Sequence, residues 1–309
     1  MHPTIENSLI AIWIIFFLSY ALIFFLHKFA KIKNYDDIFV RTKSWFFLIL
    51  IFSAIIFVKK SLAIYILAFI SFLAFKEFIS LVPNRKSDRR IPLWAYLSIP
   101  IQYYWASITW YGMFIVFIPV YMFALIAFRM VITQQTEGFL RAIGILHWGL
   151  MTTVFSLSHL AYLLMLPDRV SSPTGGTGFL LYLVFLTQFN DIAQYITGKT
   201  FGKRPILPRI SPKKTWEGFL GGCIATTAAA LLIAPFLTPF DWQKALLSGS
   251  LIALAGFAGD VTLSAIKRDI GVKDMSSMIP GHGGVMDRMD SLTFTAPQFF
   301  YFVCYFYGY

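Results

Sequence analysis

Charge is what this sequence has least of. Only 13% of its 309 residues are Asp, Glu, Lys or Arg, and just 15 residues are acidic. Soluble domains carry about 25% charged residues. A chain that is 58% hydrophobic, with a mean hydropathy of +0.69, has too little polar surface to cover itself in water. That excludes an ordinary soluble enzyme and leaves lipid as the solvent. Cysteine is nearly absent too. Cys223 and Cys304 both sit in apolar runs, with neither zinc-ligand spacing nor a disulfide pattern, so they read as packing residues. The first apolar run has Glu6 before it and no Lys or Arg, which argues against a cleaved signal peptide and for a retained helix. There is no repeat of 20–50 residues and no low-complexity tail.

What is abundant is apolar sequence in membrane-length runs. The pattern predicts an all-α, polytopic integral membrane protein of about ten helices, near 8–27, 44–58, 61–81, 91–110, 111–128, 142–166, 179–197, 219–237, 245–263 and 292–309. The second is the weakest, being short and separated from the third only by Lys59 and Lys60. One integrated membrane domain is expected, with apolar helices over 1–180 and catalytic helices with motif loops over 181–309.

The net charge of +11 is distributed unevenly. With the N-terminus outside, loops 28–43, 85–90, 129–141, 198–217 and 264–291 face inward and hold 21 Lys and Arg, against 4 in the outward loops. By the positive-inside rule, loops 198–217 and 264–291 then face the cytoplasm together, where nucleotides are found. Basic loops also attract anionic lipids and nucleotide phosphates. Nucleic acid is a poor partner for basic residues confined to short loops between apolar runs.

Ionisable groups within or beside spans are costly and mark function. Asp260 ends an apolar stretch, and Asp260, Ser264 and Lys267 fall at i, i+4 and i+7, on one helical face. A carboxylate, a hydroxyl and an ammonium so placed can hold a metal ion beside a phosphate; the plainer reading is an Asp–Lys pair at a helix end. Downstream, Asp287 and Asp290 share a face, and Gly281, Gly283 and Gly284 bracket His282. Hard Mg²⁺ prefers such carboxylate oxygens, so Asp260 and Asp287 can supply the protein side of a site. The glycines permit close approach of a phosphate to backbone N–H groups.

A third segment begins at Asp191 and continues through Lys199, Lys203, Arg204, Arg209, Lys213 and Lys214, a cluster suited to a triphosphate or a lipid head group. Ser211 through Glu217 reads as a helix start with a capping acid. Gly198-Lys199-Thr200 mimics the end of a P-loop, but Ala193 stands where the upstream glycine belongs. His147 and His159 read as hydrogen-bonded packing residues. Lys76 and Glu77 read as a snorkelling pair, with Glu77 facing the site as the alternative.

Ser264, Lys267 and Arg268, then Lys273 and Asp274, then Pro280 to Gly284, then Asp287, Arg288 and Asp290, with their gaps, resemble the signature of phosphatidate cytidylyltransferases (CDP-diglyceride synthases). Residues 191–203 and 211–218 are similar to two further segments of that family, so the likeness covers about residues 190–290. It implies a bacterial cytoplasmic-membrane enzyme in which CTP and phosphatidate give CDP-diacylglycerol and pyrophosphate. Asp260 and Asp287 would hold Mg²⁺, with a monovalent cation such as K⁺ nearby. Ser264, Lys267, His282 and Asp290 would line the phosphate site, and Lys203, Ser211, Lys213 and Lys214 would reach it from the other loop. Asp191, Glu217, Arg268, Lys273, Asp274 and Arg288 complete the expected substrate-binding set, and a homodimer is implied. Two other readings are a CTP-dependent lipid-alcohol kinase, which would transfer the γ- rather than the α-phosphorus, and an ion-coupled transporter using Asp191 and Asp260.

Overall fold

A computed structural model describes residues 2–30, 35–82, 90–167, 174–279 and 283–308, with side chains described from residue 42 onward and before residue 26. A helix stands at each expected span. They are α1 (Pro3–Ala30), α2 (Tyr35–Phe57), α3 (Lys60–Leu81), α4 (Ile91–Ser107), α5 (Tyr111–Val131), α6 (Phe139–Met165), α7 (Gly175–Phe201), α8 (Trp216–Leu237) and α9 (Trp242–Ile270), then a short α10 (Val285–Met289) and α11 (Leu292–Tyr307). Among the described residues, six of them, α1, α3, α5, α6, α8 and α9, are both long and apolar enough to cross a membrane. α4 and α11 have 17 and 16 residues, and α7 is polar in its second half, where Asn190, Asp191, Gln194 and Thr197 fall. The chain is therefore an all-α integral membrane protein.

The helix breaks have local causes. α4 and α5 are separated by Thr109, whose φ of 54° no helix continues. α5 and α6 each contain a wide π turn, at Phe117–Met122 and Met151–Phe155. Asp241 caps α9 by accepting the Lys244 N–H at 2.8 Å. Thr215 caps α8 through the Gly218 N–H at 3.2 Å. Ser211–Thr215, expected to open that helix, is instead the second strand of a small antiparallel hairpin, β1 (Pro205–Leu207) with β2 (Ser211–Thr215). Pro212 cannot donate to a ladder, and the hairpin's register slips between Pro205 and Leu207.

Two groups of helices share one core. α6 runs through the first, against α3, α4 and α11, where Phe114, Phe155, His159, Tyr162 and Phe300 interlock. His159 is fully buried and bonds the Phe155 carbonyl at 2.8 Å, the packing role expected of it. The second group is α7, α8 and α9. α7 and α8 approach so closely that a Cβ on Gly218 would lie 2.9 Å from the Gly198 Cα. Asn190 joins all three, accepting from Thr226 at 3.2 Å and donating to the Ala253 carbonyl at 3.4 Å. Large apolar side chains such as Ile14, Leu18, Tyr65, Leu232 and Tyr305 face outward, where lipid replaces water.

Candidate active site

The polar residues collect at one end of the bundle, where α7 and α9 meet the hairpin and the 271–291 loop. Asp260 and Ser264, one turn apart on α9, are bonded, with Ser264 Oγ donating to Asp260 Oδ1 at 3.3 Å. The other Asp260 oxygen is ion-paired with Lys214 of β2, whose ammonium also lies 5.1 Å from the centre of the Phe257 ring. Lys267, a further turn along α9, donates to Asp287 Oδ1 at 2.8 Å. The face read from the sequence is therefore real, and each of its charges already has a partner.

Asp287 is almost fully buried. Its Oδ2 accepts the N–H groups of Met275 and Gly284, both at 2.8 Å, which folds the loop onto itself. Gly283 must be glycine here: its φ is +78°, and a Cβ would lie 2.6 Å from that carboxylate. Of the glycine N–H groups expected to face a phosphate, that of Gly284 is thus held by the protein's own Asp287, and Gly281 lies outside the described residues. A second acid, for which the sequence reading gave a place facing the site only as the alternative, completes this. Glu77 of α3 is buried, and its carboxylate accepts from Val285 N, Met286 N and Ser276 Oγ at 2.9, 2.9 and 2.7 Å. The snorkelling reading of Glu77 is overturned, because three donors from a distant loop compensate its burial. A buried acid beside Lys76 on an otherwise apolar helix was the available signal.

Asp191, Arg288 and Asp290 line a cavity of about 220 Å³ with Trp45, Gln188, Ile192, Tyr195 and Asp287. Ser291 bridges two of the acids, its hydroxyl donating to Asp191 Oδ1 at 3.0 Å and its N–H to Asp290 Oδ1 at 2.8 Å. Burial, and next the charge of Asp260, push the Asp290 carboxyl up to about 7, with Lys267 pulling the other way. The Arg288 Nε is buried and has no hydrogen-bond partner among the described residues. An unspent guanidinium donor at a cavity is suited to a phosphate or carboxylate oxygen.

The remaining expected residues are more dispersed. Glu217 accepts from the N–H groups of Lys203 and Arg204, at 3.0 and 3.2 Å, and so anchors the hairpin. Arg268 reaches the Ile210 carbonyl at 3.3 Å, which ties the two motif loops together at the same end of the bundle. Lys203, Lys213, Lys273 and Asp274 are exposed, and Ser211 is half-buried. His282 lies outside the described residues. Among the described residues, no three His, Cys, Asp or Glu side chains stand in ligating arrangement, and Lys214, Lys267 and loop N–H groups occupy the carboxylates of Asp260 and Asp287. The chemistry of the donor set nevertheless fits a hard cation: Ser291 joins Asp191 to Asp290, and burial and the charge of Asp260 make Asp290 costly to ionise, which a divalent ion would relieve.

Comparison with known proteins follows the same division. A sequence model described as the cytidylyltransferase family matches residues 39–306. The uncharacterised protein YnbB of Escherichia coli strain K12 is 41% identical over 301 residues, 97% of this chain and 99% of that one. The phosphatidate cytidylyltransferase of Mycobacterium leprae is 46% identical over 123 residues, 39% of this chain and 38% of that protein. That of Haemophilus influenzae is 40% identical over 149 residues, 45% and 50% respectively. These two matches span half or less of the named transferases.

Proposed function

The chain belongs to the cytidylyltransferase family, and on that premise we propose that it is a phosphatidate cytidylyltransferase, joining CTP to phosphatidate to give CDP-diacylglycerol and pyrophosphate in phospholipid synthesis. The observation that carries this reading is the cavity, in which the unpartnered Arg288 Nε and the acids Asp191 and Asp290 meet the apolar and aromatic side chains of Trp45, Ile192 and Tyr195. Such a mixed lining suits a charged phosphate on an apolar tail.

A phosphate oxygen of phosphatidate attacks the α-phosphorus of CTP. A new P–O–P linkage forms, and the bond between the α-phosphorus and the β-bridging oxygen breaks, releasing pyrophosphate. The acceptor is already anionic and needs no strong base; its obstacle is repulsion by a triphosphate of the same sign. Arg288 and Lys267 lie nearest to offset that repulsion, with Lys214 and the exposed Lys203 and Lys213 reaching in from the hairpin. Asp260 and Asp287 would hold Mg²⁺, with Asp191 and Asp290 as further oxygen donors and a monovalent cation such as K⁺ beside them. The bound Mg²⁺ would neutralise phosphate charge as pyrophosphate departs. Ser264 orients Asp260, and Lys267 is the ammonium that can turn from Asp287 to a phosphate. We place the site at the cytoplasmic face of a bacterial inner membrane, in a homodimer.

Purified protein given phosphatidate and CTP labelled at the α-phosphorus should yield labelled lipid and unlabelled pyrophosphate. Lipid labelled only from the γ position would instead identify a lipid-alcohol kinase, and cation flux without CTP a transporter.

A further inference from the structure

We infer that Glu77, which lies outside the cavity, is a positioning residue: it ties the 271–291 loop to the N-terminal helices and thereby sets where Arg288 and Asp290 stand. Its activity readout rests on the transferase reading above; its structural readout does not. The carboxylate is 3% exposed and comes from α3, some 200 residues away in sequence from the groups it holds. One oxygen takes the Ser276 hydroxyl and the Val285 N–H, and the other takes the Met286 N–H. Those two N–H groups open the short α10, whose next residues are Asp287 and Arg288 and which leads directly to Asp290. Asp287 closes the loop on itself through Met275 and Gly284, whereas Glu77 fastens the closed loop to the other half of the molecule. Backbone and acid meet without slack. A Cβ on Gly284 would lie 2.5 Å from Glu77 Oε2, so glycine is needed there for close approach, its φ of −92° being ordinary.

The arrangement requires an acceptor at both positions. The glutamine isostere has one oxygen and one NH₂, so one of its ends would present a donor to a donor, leaving a buried N–H unsatisfied. A role limited to filling space would not distinguish the two side chains.

The test uses the full-length protein in detergent or nanodiscs, comparing wild type, Glu77→Gln, Glu77→Ala and Gly284→Ala by backbone hydrogen exchange and by steady-state kinetics. Exchange should rise about tenfold or more at whichever of Val285 and Met286 faces the NH₂ in Glu77→Gln, and at both in Glu77→Ala, while Met275 and Gly284, held by Asp287, change by less than about threefold. The turnover number should fall at least about tenfold in Glu77→Gln, which remains folded and monodisperse. Gly284→Ala, which pushes on the same carboxylate from the other side, should reproduce both effects. Wild-type exchange at 285 and 286 in both Glu77 variants would overturn the tie. Faster exchange with unchanged turnover would overturn the positioning role. If wild type itself transfers no cytidylyl group, the transferase reading fails, and the exchange data still decide whether Glu77 holds the loop.

Discussion

At the scale of single residues, the site is a cluster of acids in which burial and the charge of Asp260 make Asp290 costly to ionise. Asp260 meets Lys214 and Ser264, and its removal takes a charge from the centre of the set. Asp260→Asn should lower cytidylyl transfer by a factor of about 100 or more while the protein still inserts and purifies, checked by labelled-CTP turnover against yield. Turnover like that of wild type would refute the metal role. Asp290 gives a prediction of definite sign. Its folded pKa is raised from 3.8 to about 7, so the fold favours the neutral acid. That preference stabilises the metal-free protein fully below the unfolded value, and the contribution is lost as pH climbs through the window between the two. Asn imitates the neutral acid. Asp290→Asn should therefore raise the metal-free melting temperature at about pH 8 and change it little at about pH 4, as read by thermal unfolding in detergent.

Among the elements, α7 and α8 are held by absent side chains as much as by present ones. Replacing Gly218 by Val would drive two γ-carbons into the Gly198 backbone, already 2.9 Å from an added Cβ. Such overpacking costs about 1–3 kcal/mol, and Thr215 would be displaced as the α8 cap, so Gly218→Val should lower both the melting temperature and turnover. α2 contributes one wall of the cavity through Trp45. Truncating it removes apolar area where the acceptor would lie. Trp45→Ala should raise the KM for phosphatidate about five- to tenfold with the KM for CTP within about twofold, measured in mixed micelles. The α2 helix, the weakest of the expected spans because it is short and set off from the third only by Lys59 and Lys60, thus lines the site, and the β-hairpin appeared where a helix start was expected. In both places local pattern was ambiguous, and long-range packing decided.

For the whole molecule, the distribution of basic residues carries the proposal that the motif loops face the cytoplasm. In a cysteine-free background, Lys203→Cys should react with an impermeant thiol reagent only after the membrane is breached, and Lys244→Cys should react in intact cells. Reversed labelling would put the motif loops on the wrong side for CTP. Composition and periodicity alone determined the membrane class, the helix positions and the i, i+4, i+7 face of Asp260, Ser264 and Lys267, because lipid demands unbroken apolar helices and a helix has one period. Only the tertiary structure decided the partners: that Lys214 pairs with Asp260, that Asp287 is spent on Lys267 and two N–H groups, and that Glu77 reaches across some 200 residues to the same loop. Those are choices among chemically equivalent acids and bases. They depend on which helices lie side by side, a relation no local pattern in the chain encodes.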